Sequence, residues 1–193
     1  MALLEHGITN DTPKNLLFSA GVFYKNLVYA EKEWNGTLLG ATSGGGKLSI
    51  TPEYVDAELD GANVKVKGAK FKMGETAQIE ATMTEISEGV IKDALHLVED
   101  TSFSDTSYKK YDTQKNINDS DYLTNIAFVG TLTSGKQVIV IMDNALCTSA
   151  FEIEGKNKTQ ATYTCTFECH ASVEQSDLNH LPIHIYFPQV ASV

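Results

Sequence analysis

Residues 160–173, QATYTCTFECHASV, alternate strictly between apolar and polar side chains. The odd-numbered positions carry Ala, Tyr, Cys, Phe, Cys, Ala and Val, and the even-numbered ones carry Gln, Thr, Thr, Thr, Glu, His and Ser. A period of two places successive side chains on opposite faces of a β-strand, whereas a helix repeats near 3.6 residues. The segment therefore predicts a long strand with one face in a core and the other facing solvent or a partner.

The same alternation recurs along much of the chain. Residues 54–60 and 77–84 alternate in this way, and we interpret both as half-buried strands. The run VIVIM at 138–142 is apolar throughout, which predicts a strand covered on both faces. Between 64 and 73 the apolar phase slips by one residue across Gly68, and this slip predicts a bulge or a bend.

One segment has helical periodicity instead. Ser87 is a suitable N-cap, and apolar residues then recur at helical spacing: Val90, Ile91, Ala94, Leu95 and Val98. Residues 99–121 follow, and they are polar without a sustained apolar period. We therefore predict a mainly β fold, a β-sandwich or barrel with one flanking α-helix, in a single domain over 1–193. An N-terminal arm of about 1–20 and a long polar loop of about 99–121 complete the prediction.

Composition limits the functions that such a domain can have. The chain has 193 residues, with 15 Lys and Arg against 25 Asp and Glu, and a net charge of -10. This balance disfavours stable binding to DNA or to anionic membranes, because those contacts depend on cations neutralising phosphate. The first residues lack the pattern of a signal peptide and no window reaches the length of a membrane span, so we expect a protein that is cytoplasmic where it is made.

The stretch GATSGGGKLSI at 40–50 superficially resembles a phosphate-binding loop. That motif requires a glycine, then four residues of any kind, then Gly-Lys and a hydroxyl residue, since the hydroxyl ligates magnesium. Aligned on Gly46-Lys47, these two positions are Ala41 and Leu48. Both ends of the motif fail, so we predict no nucleotide and no other cofactor here.

Metal ligation is also disfavoured. Cys165 and Cys169 face the apolar side of the predicted strand and His170 faces the other, so we interpret the cysteines as buried structural residues. His180 and His184 have the spacing of a helical metal pair, but a proline lies between them and the segment is typical of a strand. Cys147 completes an odd set of three cysteines, which does not suggest a disulfide framework.

Catalysis is not predicted either. Paired carboxylates occur at Asp56 with Glu58 and at Glu152 with Glu154, and on alternating strands each pair falls on one polar face. A solvated acidic face is commoner than a catalytic dyad, and no nucleophile, base and stabiliser can be named together. We therefore expect a protein that is not an enzyme.

Three segments carry a resemblance to a known family: LLFSAGVFYKNLVY at 16–29, GTLLGATSGGGKLSITPEYVDAELDGANVKVKG at 36–68, and HASVEQSDLNHLPIHIYFP at 170–188. The most specific features are, in order, Gly40-Ala41-Thr42, the glycine run, a strand into Pro52-Glu53, Asp60-Gly61 before Lys67-Gly68, and the closing Leu181-Pro182. Over nearly its whole length the chain resembles the major tail tube proteins of long-tailed, siphovirus-like bacteriophages and prophages. Residues 99–121 carry no part of this resemblance.

The resemblance implies a structural virion protein of the phage tail. Six copies would form a ring, rings would stack into a hollow tube, and DNA would pass through it during ejection without specific binding. The implied partners are other copies of the chain, a tape measure protein, and tail terminator and initiator proteins. The implied location is the virion tail, after assembly in the cytoplasm of the host bacterium.

Two sets of residues follow as candidates for this role. An acidic lining would repel DNA phosphates, and the polar strand faces offer four acidic residues for it: Asp56, Glu58, Glu80 and Glu168. Gly44, Gly45 and Gly46 are candidates for an assembly joint between the N-terminal arm and the first regular strand. If so, replacing all three with alanine should impair assembly more than folding.

Other functions stay open at this point. A tail terminator, or the tube subunit of a contractile tail or injection system, would use the same sandwich. A small-molecule-binding β-barrel belongs to a different class and would need a deep apolar pocket in the monomer. A secreted adhesin is disfavoured because no signal segment is seen.

Overall fold

The computed structural model describes residues 7–17, 19–174, 176 and 178–189. In this part of the chain ten strands and one α-helix follow one another: β1 Val22–Ala30, β2 Glu33–Leu38, β3 Thr42–Asp56, β4 Lys70–Met83, α1 Glu88–Leu95, β5 Leu97–Glu99, β6 Tyr111–Thr113, β7 Leu123–Thr131, β8 Gln137–Cys147, β9 Tyr163–Cys169 and β10 Ile183–Tyr186. All the strand pairs are antiparallel. The mainly β fold with a single flanking helix is confirmed.

Strand β8 belongs to both layers of the sandwich. Its residues 139–142 pair with β10 and its residues 145–147 pair with β9, both on the side away from β7. Between the two stretches Asn144 adopts a left-handed conformation, with φ 49°. One layer is therefore β2-β1-β7-β8-β10, and the other continues from the end of β8 through β9 and β4 to β3.

The main core lies between these layers and beneath α1. It includes Phe23 from the first layer, Ile79 and Phe167 from the second, and Val90 from the helix, all of them buried. The alternation that predicted a strand at 160–173 is confirmed over 163–169, where every odd-numbered side chain is buried.

A second apolar cluster covers the opposite face of the first layer. Ala127, Val129, Ile139 and Ile141 form its floor, and Leu27 and Trp34 from the β1–β2 hairpin lie over them. Residues 139–142 are consequently buried on both faces, as their uninterrupted apolar run predicted.

The bend that carries this hairpin over the cluster is held by one buried amide. The side chain of Asn125 accepts a hydrogen bond from the Leu27 N–H at 2.8 Å and donates one to the Leu27 carbonyl at 3.0 Å. These bonds satisfy Leu27 next to Asn26, a residue with φ 55° where the β1–β2 register shifts.

Helix α1 is capped at both ends and is tied to the sandwich by an ion pair on its buried side. The Ser87 hydroxyl accepts a hydrogen bond from the Val90 N–H, which confirms the predicted N-cap. The left-handed His96 ends the helix, so Val98 belongs to β5 and not to the helix. On the buried side Lys25 and Asp93 form an ion pair at 2.5 Å, with side chains 17% exposed. Among the described helices none is long and apolar enough to cross a membrane.

The prediction for residues 54–60 was wrong. Strand β3 ends at Asp56, and the side chains of Val55 and Leu59 are 53% and 49% exposed, not half-buried in a core. The bulge lies between Glu53 and Tyr54, where the register with β4 shifts. Gly68, the site where the sequence predicted the bulge or bend, has φ 91° in the connection before β4.

Residues 99–121 are more regular than their composition suggested. Strands β5 and β6 pair in a small separate sheet, and a 3-10 turn follows at Asp119–Asp121. Short polar side chains organise this segment: Asp100 and Asp105 accept hydrogen bonds from nearby backbone N–H groups. Local capping of this kind leaves no apolar period in the sequence.

Candidate functional site

The outer face of the β9-β4-β3 layer carries two of the four acidic candidates. Glu80 pairs with Thr166 on β9 and with Lys47 on β3, and Glu168 pairs with Gln78 on β4. These side chains alternate with the buried ones on the same strands, so they share the face that points away from the core.

That face is polar but nearly uncharged. Its charged side chains are Lys47, Glu53, Glu80 and Glu168, which give it a net charge of -2. Its other side chains are hydroxyls and an amide: Ser49, Thr51, Thr76, Gln78, Thr82, Thr164 and Thr166. The negative charge of the chain is concentrated elsewhere, since residues 85–121 contain nine acidic residues and four lysines, a net charge of -5.

The other two acidic candidates lie apart from this face. Asp56 is at the end of β3, where its carboxylate contacts Lys65 at 2.7 Å and Lys70 at 3.0 Å. Hydrogen bonds from these two lysines lower the pKa of Asp56 below its usual value. Glu58 lies in the connection between β3 and β4. The structure thus brings Glu80 and Glu168 together and separates Asp56 and Glu58 from them.

The far half of the β3–β4 hairpin carries large apolar side chains on its surface. Val55 and Phe71 are cross-strand partners, each 53% exposed. Five more side chains in residues 54–73 are 44% to 78% exposed: Tyr54, Leu59, Val64, Val66 and Met73. From residue 77 back to residue 70, β3 is the only described strand that pairs with β4, because the pairing of β4 with β9 covers only 78–83. We call this region, residues 54–73, the hairpin tip.

The sequence did not predict that the apolar side chains of the hairpin tip are exposed, because the hairpin tip has the sequence pattern of a half-buried strand. Lys70 and Lys72 alternate with Phe71 and Met73, which is a normal amphipathic strand. One signal was available: the turn dipeptide Asp60-Gly61 lies in the middle of the apolar positions, so both flanking strands had to belong to one hairpin.

The glycine segment lies inside β3 and not ahead of the first strand. Two strands, β1 and β2, precede it, and the register between Thr42 and Gly46 is shifted. Gly44 and Gly45 have φ near 83° and 82°. At Gly46 a Cβ atom would overlap the ring of Phe23 and lie 2.5 Å from the carbonyl oxygen of Glu80.

This packing changes the expectation for the triple alanine variant. Two positions need a left-handed backbone and the third needs the space of a missing Cβ against the core. Replacing all three should therefore impair folding as well, and the joint itself remains a prediction that single substitutions can test.

The three cysteines are buried and unpaired by disulfides, which agrees with their interpretation as structural residues. Cys147 and Cys165 lie in the same core cluster and interact with each other, a contact that the sequence spacing did not suggest. This contact and burial raise the pKa of Cys165, and burial raises the pKa of Cys169 to about 12.

The histidines in the described part of the chain do not converge on a metal site. The side chain of His170 packs edge-on against Tyr122, and His184 Nε2 lies 3.2 Å from the carboxylate of Asp143. His180 has interactions of its own near Glu75. Within the described ranges no three His, Cys, Asp or Glu side chains are placed to hold a metal ion.

A cleft of about 600 Å³ lies between α1 and the 105–111 segment. Glu88 closes one side of it, where its carboxylate accepts hydrogen bonds from Tyr111 at 2.5 Å and Lys109 at 3.1 Å. These bonds lower the pKa of Glu88 and raise the pKa of Tyr111 and of Lys109. The carboxylate of Glu88 and its two donors are engaged in hydrogen bonds within the protein, so they hold the 105–111 segment against α1.

The described part of the N-terminal arm lies on the β7–β8 turn. Residues 12–15 form a 3-10 turn, and Leu17 forms an isolated antiparallel bridge with Leu132. The carbonyl of Leu16 accepts a hydrogen bond from the Thr133 N–H at 2.9 Å. Residues 1–6 and 18 of the predicted arm lie outside the described residues.

No protein-family model and no curated protein matches the sequence. Among solved structures, the chain is similar to a protein in the tail of an empty GTA particle. The structure of that tail was computed with helical refinement and C6 symmetry. The two sequences are 13% identical, and the match covers 79% of this chain and 92% of the other. The TM-score is 0.46, which by itself assigns neither fold nor function.

Proposed function

We propose that this protein is the tube subunit of a long phage tail, which assembles with copies of itself into stacked hexameric rings. The hairpin tip is the observation that carries the proposal. Its apolar side chains are exposed on a ribbon that no third described strand supports. Such a ribbon is stabilised when it packs against another surface, and identical copies supply that surface in a self-assembling protein.

The exposed apolar area is large enough for a specific interface. A large side chain that is about half exposed presents roughly 100 Å², so the seven of the hairpin tip present roughly 700 Å². The largest apolar patch on a typical monomer is about 300–600 Å², and a standard interface uses about 800 Å² per partner. Successive residues such as Tyr54 and Val55 face opposite sides of the ribbon, so this total belongs to the whole tip, and it is comparable with the area that one partner contributes to a standard interface.

The outer face of the β9-β4-β3 layer suits a passage for DNA. Its hydroxyl and amide side chains keep water at the surface, and its one lysine faces Glu80. A face without a cluster of cations releases no counterions from DNA, so it provides little affinity for the polymer. We assign this face to the lumen, with Glu80 and Glu168 in the lining and Asp56 and Glu58 outside it.

The remaining elements of the proposal come from the family resemblance. They are contacts with a tape measure protein and with terminator and initiator proteins, passage of DNA during ejection, and a place in the virion tail after assembly in the host cytoplasm. All of them require self-assembly, which makes self-assembly the step to test first.

Negative-stain electron microscopy of the purified protein over a range of concentrations provides the test. We expect rings with sixfold symmetry or tubes from the wild type, and loss of both in Val55→Ser/Phe71→Ser. Phe103→Ser is the matched control, because Phe103 is 45% exposed but lies outside the hairpin tip. A wild type that stays monomeric at every concentration, with or without a tail-tip extract to initiate assembly, would overturn the proposal.

A further inference from the structure

A small pocket lies between the β1–β2 hairpin and strands β7 and β8, beside the second apolar cluster. Its volume is about 280 Å³, and all four of these strands contribute to its lining. Sites for small ligands usually measure about 300–1,000 Å³, so a single small ring fits here and a large cofactor does not. We call it the Trp34 pocket, because the one tryptophan of the chain forms part of its wall.

One part of the wall is apolar. Val129 and Ile139 are buried members of the second apolar cluster, and Leu27 covers them from the hairpin. Trp34 is only partly buried beside them, so part of its ring is accessible to a ligand. Aromatic and aliphatic side chains in this arrangement bind the apolar face of a small molecule.

The ring of Trp34 is held in place by two tyrosines outside the pocket. The ring centroid of Tyr29 lies 4.9 Å away at an interplanar angle of 48°, and that of Tyr186 lies 4.9 Å away at 77°. Tyr29 belongs to β1 and Tyr186 to β10, so two separate strands fix the indole. A side chain that is ordered before binding loses little conformational entropy when a ligand arrives.

The rest of the wall offers polar groups without charge. Asn35 on β2 and Gln137 on β8 contribute carboxamides, and Tyr24 on β1 contributes a hydroxyl. Within the described part of the chain these three side chains form no hydrogen bond to protein atoms. Since a carboxamide both donates and accepts, the pocket has free hydrogen-bonding capacity of both kinds.

These features together specify a class of ligand. Phosphate and carboxylate groups are recognised by cationic side chains, and no charged residue is among the described residues that line the pocket. A purely apolar ligand would bury the amides without partners, at a cost in free energy. A neutral ring with one apolar face and several hydroxyl groups satisfies both parts of the wall.

We propose that the Trp34 pocket binds a neutral pyranose sugar. The C–H face of the sugar ring lies against Trp34, and its hydroxyl groups exchange hydrogen bonds with the amides of Asn35 and Gln137. A nucleobase is the competing neutral ligand, but its donors and acceptors lie in the plane of a flat ring, along its edges. The two amides come from different strands, which suits hydroxyl groups distributed around a puckered ring.

The position of the pocket suits a glycan outside the molecule. The second apolar cluster lies on the far side of the first layer from the main core, whereas the face assigned to the lumen belongs to the other layer. In the proposed tube the pocket therefore faces outward and is repeated in every subunit. Many weak sites on one particle bind a glycan-covered surface with an avidity that a single site lacks. Sugar binding by the single chain does not depend on that assembly.

The single tryptophan makes binding measurable in the whole chain. The fluorescence of a dilute, unassembled sample is followed during titration with methyl glucoside, methyl galactoside and N-acetylglucosamine. We expect a saturable change in Trp34 fluorescence with at least one of the three sugars. Sorbitol has the hydroxyl groups of a hexose without the ring, so it should cause no change.

Substitutions of the two amides test the polar part of the site. Asn35→Ala and Gln137→Ala should each weaken sugar binding about fivefold, because each removes a hydrogen bond to the ligand. Asn116→Ala is the matched control, since Asn116 is also exposed but does not line the pocket. Equal unfolding midpoints for the wild type and the three variants would show that the fold is preserved.

Saturation-transfer difference NMR gives a second measurement that does not depend on fluorescence. It should show the strongest transfer to the C–H protons on one face of the sugar. The sugar site would be overturned if neither method detects saturable binding, if sorbitol acts as the sugars do, or if Asn116→Ala weakens binding as much as the two pocket variants. Tighter binding of cytidine than of every sugar would also overturn it.

These outcomes are distinct from those of the tube proposal. Tubes formed by a protein that binds no sugar would overturn the sugar site alone. Sugar binding by a chain that never assembles would overturn the tube function alone.

Discussion

The two halves of the β3–β4 hairpin have the same alternating sequence and opposite environments. Near the sandwich, Ile79, Ala81 and Met83 on β4 are fully buried. On the same strand toward the turn, Phe71 and Met73 are 53% and 63% exposed. The half near the sandwich has β9 as a second neighbour, and among the described strands the tip pairs only with its own return strand. Burial here depends on a third strand and not on the pattern along the hairpin.

The largest effect on stability is expected at Met83, and Met73 on the same strand provides the comparison. Met83→Ala should lower the free energy of unfolding by about 2–5 kcal/mol, because it leaves a cavity in the core. Met73→Ala, on the hairpin tip, should change it by about 0.5 kcal/mol or less. Urea unfolding followed by fluorescence measures both. Equal losses of stability would show that the tip folds against the body, which would remove the contrast between the halves.

Single glycine substitutions test the same difference in environment within β3, where Gly46 is packed against the core and Gly44 has open space. Gly46→Ala should cost about 3 kcal/mol, since the new methyl group meets the Phe23 ring and the Glu80 carbonyl. Gly44→Ala should cost about 1 kcal/mol, because its Cβ has open space and only the left-handed backbone is strained. Thermal unfolding of the two variants checks this order. A greater loss at Gly44 would mean that backbone strain outweighs packing at this bulge.

The smallest effect is expected at Glu75, on the border between the halves. Its carboxylate contacts Lys72 at 2.5 Å and accepts a hydrogen bond from the Leu181 N–H at 2.9 Å. Both contacts lower the pKa of Glu75 below its usual 4.5, so the ionised carboxylate stabilises the fold above about pH 4.5. That stability is lost as the pH falls through the lowered pKa. Glu75→Gln should remove about 1 kcal/mol near neutral pH.

Urea unfolding between about pH 6 and about pH 3 reveals the contribution of this residue. The variant Glu75→Gln should lose less stability over this range than the wild type does, and Glu58→Gln serves as the control for removing one negative charge. If the free energy of unfolding falls in parallel with pH for the wild type and Glu75→Gln, the contacts with Lys72 and Leu181 do not favour the ionised form of Glu75.

Periodicity identified part of the fold and gave no prediction for β1, β2 or β7. The strand at 163–169, the doubly covered run at 139–142 and the Ser87 cap each follow from spacing or local chemistry within a few residues. These features depend on short-range patterns that one sequence contains in full.

The hairpin tip and the glycine bulge were not predictable in the same way. Exposure of Phe71 depends on where β9 ends, and β9 lies more than 90 residues away in the chain. The space at Gly46 depends on Phe23 and Glu80, which belong to two other strands. The separation of Asp56 from Glu80 likewise required the position of the bulge at Glu53. Each of these features is set by long-range pairing that a sequence pattern does not encode locally.

Because β8 serves both layers, the order of synthesis matters for this chain. Strand β1 pairs with β7, which ends at Thr131, and β4 pairs with β9, which ends at Cys169. On the ribosome, the first hundred residues therefore emerge before any strand that can complete their layers. During that interval the apolar side chains of β4 and of the hairpin tip are equally exposed, and only completion of the chain distinguishes them. Nascent chains in this state are prone to aggregate, so we expect the yield of folded protein to depend on chaperones more strongly than its final stability would suggest.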